Sequence, residues 1–336
     1  MNVKAEVLNH YYYDELDGVS KDFYNILYEH IKNNDNSFYY TATTDLTVDD
    51  FDKINKAFTA LLYDHVELSW LRNLNYAYWR DADKKYVTKI RFKPQYFYKE
   101  DGRVIAKNLD KIADKWLEKI DKTASNEEKV KQITKLLVER ISYNSNFDAE
   151  VLEHNQSIAS ALFDRNTVCA GYGKTFKYLC DKLSIPCICV EGTLNGANHL
   201  WNKVQLDGNW YNIDLTNVDN GTTLDNRYML LPDTYLKGYV ETDILDAPKA
   251  LDLSKNVYIK NDLWVKKYSI DACKKIIKYV QKSKNTNIVI VGNKSDLNKV
   301  EDYLYDKNYI TDSVIVEDEK NVEQLNVTFS REAIDK

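Results

Sequence analysis

The first hundred residues carry two kinds of hydrophobic pattern, one after the other. Apolar side chains recur three to four positions apart in residues 23–31 and 48–62, which predicts two helices. Residues 76–79 and 86–92 are instead rich in aromatic and β-branched side chains, which favour strands. The N-terminal region is therefore expected to be a helical segment followed by a pair of strands.

Helical spacing returns between residues 109 and 141, where a polar break divides two patterns. Ser125 followed by Glu128 has the spacing of a capping box, so we predict a helix from Asn126 to Ile141. A short helix is expected at 157–163. Beyond Pro248 the order is helix, strand, helix and two strands, with the predicted segments at 270–281, 287–291, 297–305, 313–316 and 324–329.

The length of 336 residues leaves room for about two domains or for one core domain with flanks. We predict an α+β protein with an N-terminal helix-plus-strand region at 1–105, a core at 106–248 and a small α/β appendage at 249–336. The longest unbroken apolar run, residues 185–190, is far shorter than a membrane span. No signal peptide is visible in the first thirty residues, so the compartment stays open, with secretion or display on the cell surface requiring a leader outside this sequence.

The charge balance and the rare residue types narrow the search for chemistry. Forty-six basic and fifty-two acidic side chains give a net charge of −6, which argues against nucleic acid as the partner. Ten glycines and four prolines are few for this length, and seven of the glycines lie between Gly171 and Gly238. Four of the five cysteines lie between Cys169 and Cys189. We therefore expect the functional site in this region.

Cys169 is the first candidate, because residues 167–183 have the pattern of a helix that Thr167 could cap. In the first turn of a helix, the partial positive charge of the helix end favours a thiolate, the form that a nucleophilic cysteine needs. Gly171 and Gly173 in the same turn lower helix propensity, which suggests that another group approaches closely. Taken alone, Cys169 would more often be a buried structural cysteine.

A predicted hairpin supplies two partners for this cysteine. Asp207-Gly208 is a strong signal for a two-residue turn between strands that contain His199 and Asp214. The turn fixes the register, which places His199 and Asp214 on one face as diagonal neighbours about 7 Å apart. A thiol, an imidazole and a carboxylate in this arrangement can act as nucleophile, general base and orienting group.

These residues resemble the transglutaminase-like superfamily, whose core is similar in plan to that of papain-like proteases. The sequence looks like a bacterial multidomain member of that superfamily. The resemblance covers roughly residues 125–235. It rests on four segments in order: Thr167-Val168-Cys169-Ala170-Gly171-Tyr172, Leu183-Ser184-Ile185-Pro186-Cys187, Asn198-His199-Leu200-Trp201-Asn202-Lys203-Val204 and Asn209-Trp210-Tyr211-Asn212-Ile213-Asp214-Leu215-Thr216. The resemblance implies a nucleophile helix packed on an antiparallel sheet and a Cys-His-Asp acyl-transfer site.

The resulting hypothesis is cysteine-dependent acyl transfer on an amide, of the transglutaminase, protease, amidase or deamidase type. Gln156 is a candidate second donor to the oxyanion, and Trp201 and Tyr172 are expected to line the substrate cleft. The expected substrate is a peptide or protein amide, with cell-wall peptides among the candidates. No cofactor, metal site or membrane span is expected. The alternative is a non-catalytic module that binds cell wall, carbohydrate or protein and keeps a relict triad.

Two fragments resemble parts of a GTPase, but the pattern is incomplete. Gly173-Lys174-Thr175 is similar to the end of a phosphate loop, and Asn293-Lys294-Ser295-Asp296 is similar to a guanine-specificity motif. The phosphate loop would need a glycine where Val168 stands. The cysteines other than Cys169 in this region, Cys180, Cys187 and Cys189, are expected in the core.

Overall fold

In the computed structural model, the N-terminal region contains helices that lead into an antiparallel sheet. The structure describes residues 10–43, 45–97, 101–146, 155–221, 224–316 and 322–335. The first elements are α1 (Tyr11–Asp14), α2 (Gly18–Lys32), β1 (Phe38–Thr41), a 3-10 turn (Val48–Asp50), α3 (Phe51–Asp64), β2 (Leu71–Arg80) and β3 (Val87–Tyr96). The strands pair in the order β1-β3-β2. The helices and the strand pair predicted from the sequence are present, and both strands extend beyond their predicted ends.

The central region carries the long helices and the main sheet. Its elements are α4 (Gly102–Leu117), α5 (Asn126–Val138), β4 (Ser142–Tyr143), a π-helical turn (Ser160–Asp164), β5 (Asn166–Thr167), α6 (Cys169–Lys182), β6 (Cys187–Leu194), β7 (Ala197–Leu206), β8 (Asn209–Ile213), α7 (Leu215–Val218), 3-10 turns (Asn226–Tyr228 and Asp233–Tyr235) and β9 (Tyr239–Glu241). Ser125 caps α5 by accepting a hydrogen bond from the backbone N–H of Glu128 at 3.2 Å. The cap is the one that the sequence indicated.

The C-terminal region is an α/β unit, as the sequence predicts. Its elements are β10 (Trp264–Val265), α8 (Ile270–Ser283), β11 (Asn287–Gly292), α9 (Lys294–Asp306), β12 (Ile310–Val316), β13 (Glu323–Phe329) and α10 (Arg331–Asp335). The strands pair in the order β10-β11-β13-β12, and β10 runs parallel to β11. The two-residue strand β10 was not predicted, because so short a segment carries no periodicity.

The main sheet has the order β8-β7-β6-β9, and every pairing in it is antiparallel. The turn between β7 and β8 has left-handed backbone at both Asp207 (φ 52°) and Gly208 (φ 84°), as a type I′ hairpin requires. Leu206 pairs with Asn209, which is the register that this turn predicts. Helix α6 packs against β6 and β7. The predicted α+β class, with a helix on an antiparallel sheet, is confirmed.

The hydrophobic core is shared between regions that the sequence separates. One cluster of buried side chains extends from Tyr12 to Leu230 and so joins the N-terminal region to the main sheet. A second cluster, from Leu263 to Ile334, fills the C-terminal unit. The division at residues 105 and 248 stays a prediction. Within the described ranges, no helix combines the length and the apolar character that crossing a membrane requires.

The start of α6 differs from the sequence-based expectation. The helix begins at Cys169, with Val168 as an N-cap residue that makes no side-chain cap. Thr167 belongs to β5 instead, and its hydroxyl donates to the carbonyl of Asn155 at 2.6 Å. The predicted cap by Thr167 is therefore wrong, because a tertiary hydrogen bond takes the side chain that would have capped the helix.

The two glycines in the first turns of α6 are explained by packing against protein groups. A Cβ atom at Gly171 would overlap Oγ1 of Thr167, and one at Gly173 would overlap Cδ2 of Leu200. Asn202 also binds this turn, because its Nδ2 donates to the carbonyl of Gly173 at 3.0 Å. These glycines therefore allow the main sheet and strand β5 to pack closely against helix α6.

Replacing Gly171 by alanine is expected to lower the free energy of unfolding by about 1–3 kcal/mol, although alanine is the better helix former. The added methyl group would displace the buried Thr167 hydroxyl. At Gly18, at the start of α2, an added methyl group would meet no atom within 4 Å, so Gly18→Ala is the matched control. Denaturant titration of both variants tests this, and equal stability of the two would contradict the packing argument.

Candidate functional site

The thiol of Cys169 lies in the first turn of α6 and is partly exposed to solvent. Backbone N–H groups in the first turn of a helix have no partner within the helix, and they create a local positive potential. The other four cysteines are buried, as expected for Cys180, Cys187 and Cys189, and all five are free thiols. Cys169 is thus the thiol that both solvent and a substrate can reach.

His199 and Asp214 are brought together by the β7–β8 hairpin. Nε2 of His199 lies 2.7 Å from Oδ2 of Asp214, and both side chains are nearly buried. The pairing of β7 with β8 ends at Asn202 and Ile213, one residue before Asp214. Asp214 itself lies outside the strand and is the N-cap of α7. The turn register thus predicts the His–Asp contact, but the final step to Asp214 is a change of element.

Several hydrogen-bond donors besides the His199 imidazole bind the carboxylate of Asp214. Its Oδ1 accepts from the backbone N–H groups of Thr216 at 3.1 Å and Asn217 at 3.4 Å. Its Oδ2 accepts from Nδ2 of Asn217 at 2.7 Å and from the hydroxyl of Tyr239 at 2.6 Å, in addition to His199. A buried carboxylate with this number of donors stays ionised and fixed in orientation.

The electrostatics of the pair favour an imidazolium and a carboxylate. Burial alone would lower the pKa of His199, but the charge and hydrogen bond of Asp214, together with a hydrogen bond and charge from Cys169, raise it to about 10. Burial likewise works to raise the pKa of Asp214, but the positive charge and hydrogen bond of His199 outweigh it, and the pKa is lowered overall. Because Nε2 faces Asp214, Nδ1 is the nitrogen left for the thiol.

The thiol and the imidazole open into one cavity of about 450 Å³. This volume is in the range of small-molecule and side-chain pockets. The described residues lining it, besides the pair itself, are Tyr63, Tyr143, Gln156, Val168, Ala170, Lys174, Glu191, Asn198 and Leu200. A peptide side chain that enters this cavity would lie beside the sulfur.

Gln156 is one of the described residues that line the cavity, and its role as an oxyanion donor stays a prediction. Trp201 and Tyr172 are not among the described lining residues, and their predicted place in the substrate cleft is wrong. Trp201 is buried and its Nε1 donates to Asn212 at 3.1 Å, while Tyr172 is buried and its hydroxyl donates to Asp219 at 2.7 Å. The Trp201 ring lies nearly parallel to the His199 ring, with centroids 6.3 Å apart.

Sequence reasoning missed several residues of the site. Tyr239 and Asn217 bind Asp214, and Lys174, Glu191 and Tyr63 line the cavity. Asn217 directly follows residues 209–216, the last of the four segments that carry the family resemblance. Tyr239 comes from a three-residue strand that pairs with β6, and no local pattern marks such a strand.

The fragment 293–296 has a structural role. Asn293 caps α9 by accepting a hydrogen bond from the N–H of Asp296 at 2.9 Å, so the fragment that resembles a guanine-specificity motif is a helix start. Within the described part of the chain, no group of three or more His, Cys, Asp and Glu side chains is placed to hold a metal ion. His154 lies outside the described residues.

Comparison with protein families agrees with this geometry. Residues 114–215 match the family model of the transglutaminase-like superfamily, a stretch that contains Cys169, His199 and Asp214. Residues 114–215 are a transglutaminase-like domain. Helix α6 and the β7–β8 hairpin both lie inside the matched stretch, whereas Tyr239 lies beyond its end. No curated protein matches the chain.

Among solved structures, the chain is similar at low identity to several proteins, including the following three. A TGase is 16% identical, with 56% of this chain and 53% of that chain covered and a TM-score of 0.31. A protein from Cytophaga hutchinsonii that carries the name of a cysteine protease is 17% identical, with 50% and 65% covered and a TM-score of 0.29. The periplasmic domain of TgpA from Pseudomonas aeruginosa, bound to ethylmercury, is 17% identical, with 43% and 64% covered and a TM-score of 0.24. The match thus spans about half to two thirds of the length of each.

Proposed function

We propose that the protein catalyses cysteine-dependent acyl transfer on amide substrates, with Cys169 as nucleophile, His199 as general base and acid, and Asp214 as the group that orients His199. The observation that supports this most strongly is the His199–Asp214 hydrogen bond of 2.7 Å beside a cavity that also contains the Cys169 thiol. The membership of residues 114–215 in a superfamily of cysteine-based acyl transfer agrees with it.

In the proposed first step, the Cys169 sulfur attacks the amide carbonyl and the C–N bond breaks. The proton on His199 passes to the leaving nitrogen, and Asp214 holds the imidazole so that Nδ1 faces the thiol. The Cys169 backbone N–H and the side chain of Gln156 would donate hydrogen bonds to the oxyanion. The product of this step is a thioester between the substrate acyl group and Cys169.

In the second step, an acceptor attacks the thioester and regenerates the thiol. Water as acceptor makes the protein a protease, amidase or deamidase, and an amine makes it a transglutaminase. The cavity is open to solvent through the partly exposed Cys169, so both acceptors can reach the acyl group. Mass spectrometry of the protein after incubation with glutamine-containing and other peptides, with and without added amine, would trap the acyl group and identify the acceptor.

The reactivity of the thiols gives a test that needs no substrate. Limiting iodoacetamide at about pH 6 is expected to label Cys169 before the other four cysteines, because Cys169 is partly exposed beside His199 and the other four are buried. Burial raises the pKa of Cys189 to about 12 and that of Cys273 to about 11, so these thiols are protonated at that pH. Peptide mapping by mass spectrometry reads the order of labelling.

Full labelling in urea shows that each thiol can react once it is exposed, and it serves as the control. Equal labelling of all five cysteines in the folded protein, or preferential labelling of Cys273, would contradict the nucleophile assignment. It would favour a binding module in which Cys169, His199 and Asp214 do no chemistry.

A further inference from the structure

The cavity beside Cys169 contains a lysine that makes no ion pair with the described residues. Lys174 lines the cavity together with Cys169, and its Nζ lies 5.8 Å from the centre of the Tyr63 ring. The burial of Lys174 lowers its pKa, although electrostatic interactions with Cys189, Glu191 and Cys169 oppose that shift. An ammonium group in such a place gains most from a hydrogen-bonded anion.

The acid that shares the cavity does not supply this partner. Glu191 is bound by Tyr63, whose hydroxyl donates to Oε2 at 2.8 Å. It acts on Lys174 through charge at longer range and forms no direct ion pair with it. The short-range position at the ammonium group is therefore left for an incoming group.

A second cavity, of about 140 Å³, adjoins the first, since Lys174 and Gln156 line both cavities. None of the described residues that line the second cavity carries a carboxylate. Two buried polar atoms in its wall, Nε2 of His65 and Oγ of Ser69, have no hydrogen-bond partner among the described residues. Buried polar atoms left unpaired are unfavourable, so this wall is suited to a polar ligand group.

We propose that Lys174 is a specificity-determining residue that binds a carboxylate of the substrate, next to the amide that reacts with Cys169. This inference rests on the proposed function, because it assigns the substrate class of the same site. The carboxylate occupies the junction of the two cavities, where Lys174 donates to it. The carboxylate is either an acidic side chain or the C-terminal carboxylate of a peptide.

Two alkylating reagents that differ only in charge measure this preference directly. Iodoacetylglycine ends in a carboxylate, and iodoacetylglycinamide ends in a neutral amide of similar shape. With both reagents the Cys169 thiolate displaces iodide and forms a thioether. The measured quantity is the ratio of the two second-order rate constants, carboxylate over amide, in the wild type and in variants of Lys174.

We expect the ratio to fall about tenfold in Lys174→Met and further in Lys174→Glu, because the charge-assisted hydrogen bond to the carboxylate is lost. Lys174→Gln is a second neutral variant with the same expected ratio, should the methionine variant fail to fold. Lys111→Glu, an exposed position on α4, changes the net charge equally and should leave the ratio unchanged. Thermal melting checks the folding of each variant.

The outcomes separate this inference from the proposed function. If Cys169 reacts with the neutral reagent at an unchanged rate and the ratio is the same with and without Lys174, the inference is wrong and the nucleophile assignment stands. If Cys169 shows no enhanced reactivity with either reagent, the proposed function fails, and the substrate class fails with it. Two peptide pairs then identify the source of the carboxylate: glutamate against glutamine beside the reacting residue, and a free C-terminus against an amidated one.

Discussion

Replacing Cys169 by alanine is expected to lower turnover of any amide substrate by about 10⁴-fold or more, because no other group in the cavity can form the thioester. The fold should be unaffected, since the side chain is small, partly exposed and without a disulfide. The measurement is the rate of product formation by the purified variant, together with mass spectrometry for the acyl-enzyme. The variant should show neither product nor acyl adduct.

Cys273→Ala is the matched control, because this thiol is buried in the separate C-terminal cluster. It should cost stability, as the loss of a buried side chain does, and leave turnover unchanged. A Cys169→Ala protein that turns over substrate at the wild-type rate would remove the acyl-transfer proposal.

Replacing Asp214 by asparagine is expected to lower turnover by about 10²–10⁴-fold, a smaller loss than that of Cys169→Ala. An asparagine can still contact the imidazole, but its amide group favours the wrong tautomer for accepting the thiol proton. The substitution should also lower the stability of the protein, because Oδ2 of Asp214 accepts hydrogen bonds from His199, Asn217 and Tyr239. An amide NH₂ in that position would face these donors, so a loss of about 1–3 kcal/mol in the free energy of unfolding is expected.

The pH dependence of that stability loss distinguishes the ion pair from simple packing. The pKa of His199 is raised from 6.5 to about 10 in the folded protein, so its contribution is fully present below 6.5 and is lost as pH rises through about 10. The pKa of Asp214 is lowered from 3.8, so its contribution is present above that value and is lost as pH falls. The stability difference between wild type and Asp214→Asn should be largest above pH 3.8, where Asp214 is ionised, and below pH 6.5, where the contribution of His199 is complete. A difference that does not change from pH 6 to pH 10 would contradict the ion-pair assignment.

The His199–Asp214 half of the site could be predicted because its information is local. The turn at Asp207-Gly208 fixes the pairing of Leu206 with Asn209, and the alternation of faces then places the histidine and the aspartate. The α+β class followed from the same patterns. The position of Cys169 at a helix start was also predictable, since the helical spacing begins there.

Predictions about individual side chains failed where a distant partner decides the outcome. Thr167 was expected to cap α6, but its hydroxyl binds the carbonyl of Asn155 and lies 2.7 Å from Oγ of Ser160. Trp201 and Tyr172 were expected in the cleft, but both rings are buried. Sequence propensities describe a residue type, whereas the surroundings of these three side chains depend on which other elements pack against them.

Two residues of the site could not be inferred from sequence for different reasons. Tyr239 reaches Asp214 from β9, a strand whose pairing with β6 spans a long separation in the chain and leaves no local pattern. Lys174 stands in the sequence as part of an incomplete phosphate loop. Its placement between two cavities depends on the packing of α6 against the N-terminal region, which contributes Tyr63 and His65.

The hairpin between β7 and β8 also sets the order in which the site can assemble during folding. His199 and Asp214 meet when a loop of two residues closes, whereas Cys169 joins them only after the chain between α6 and β7 has closed as well. The entropic cost of closure grows with the number of residues enclosed, and short hairpins form within microseconds. We therefore expect the imidazole–carboxylate pair to form first during folding and the thiol to join it afterwards.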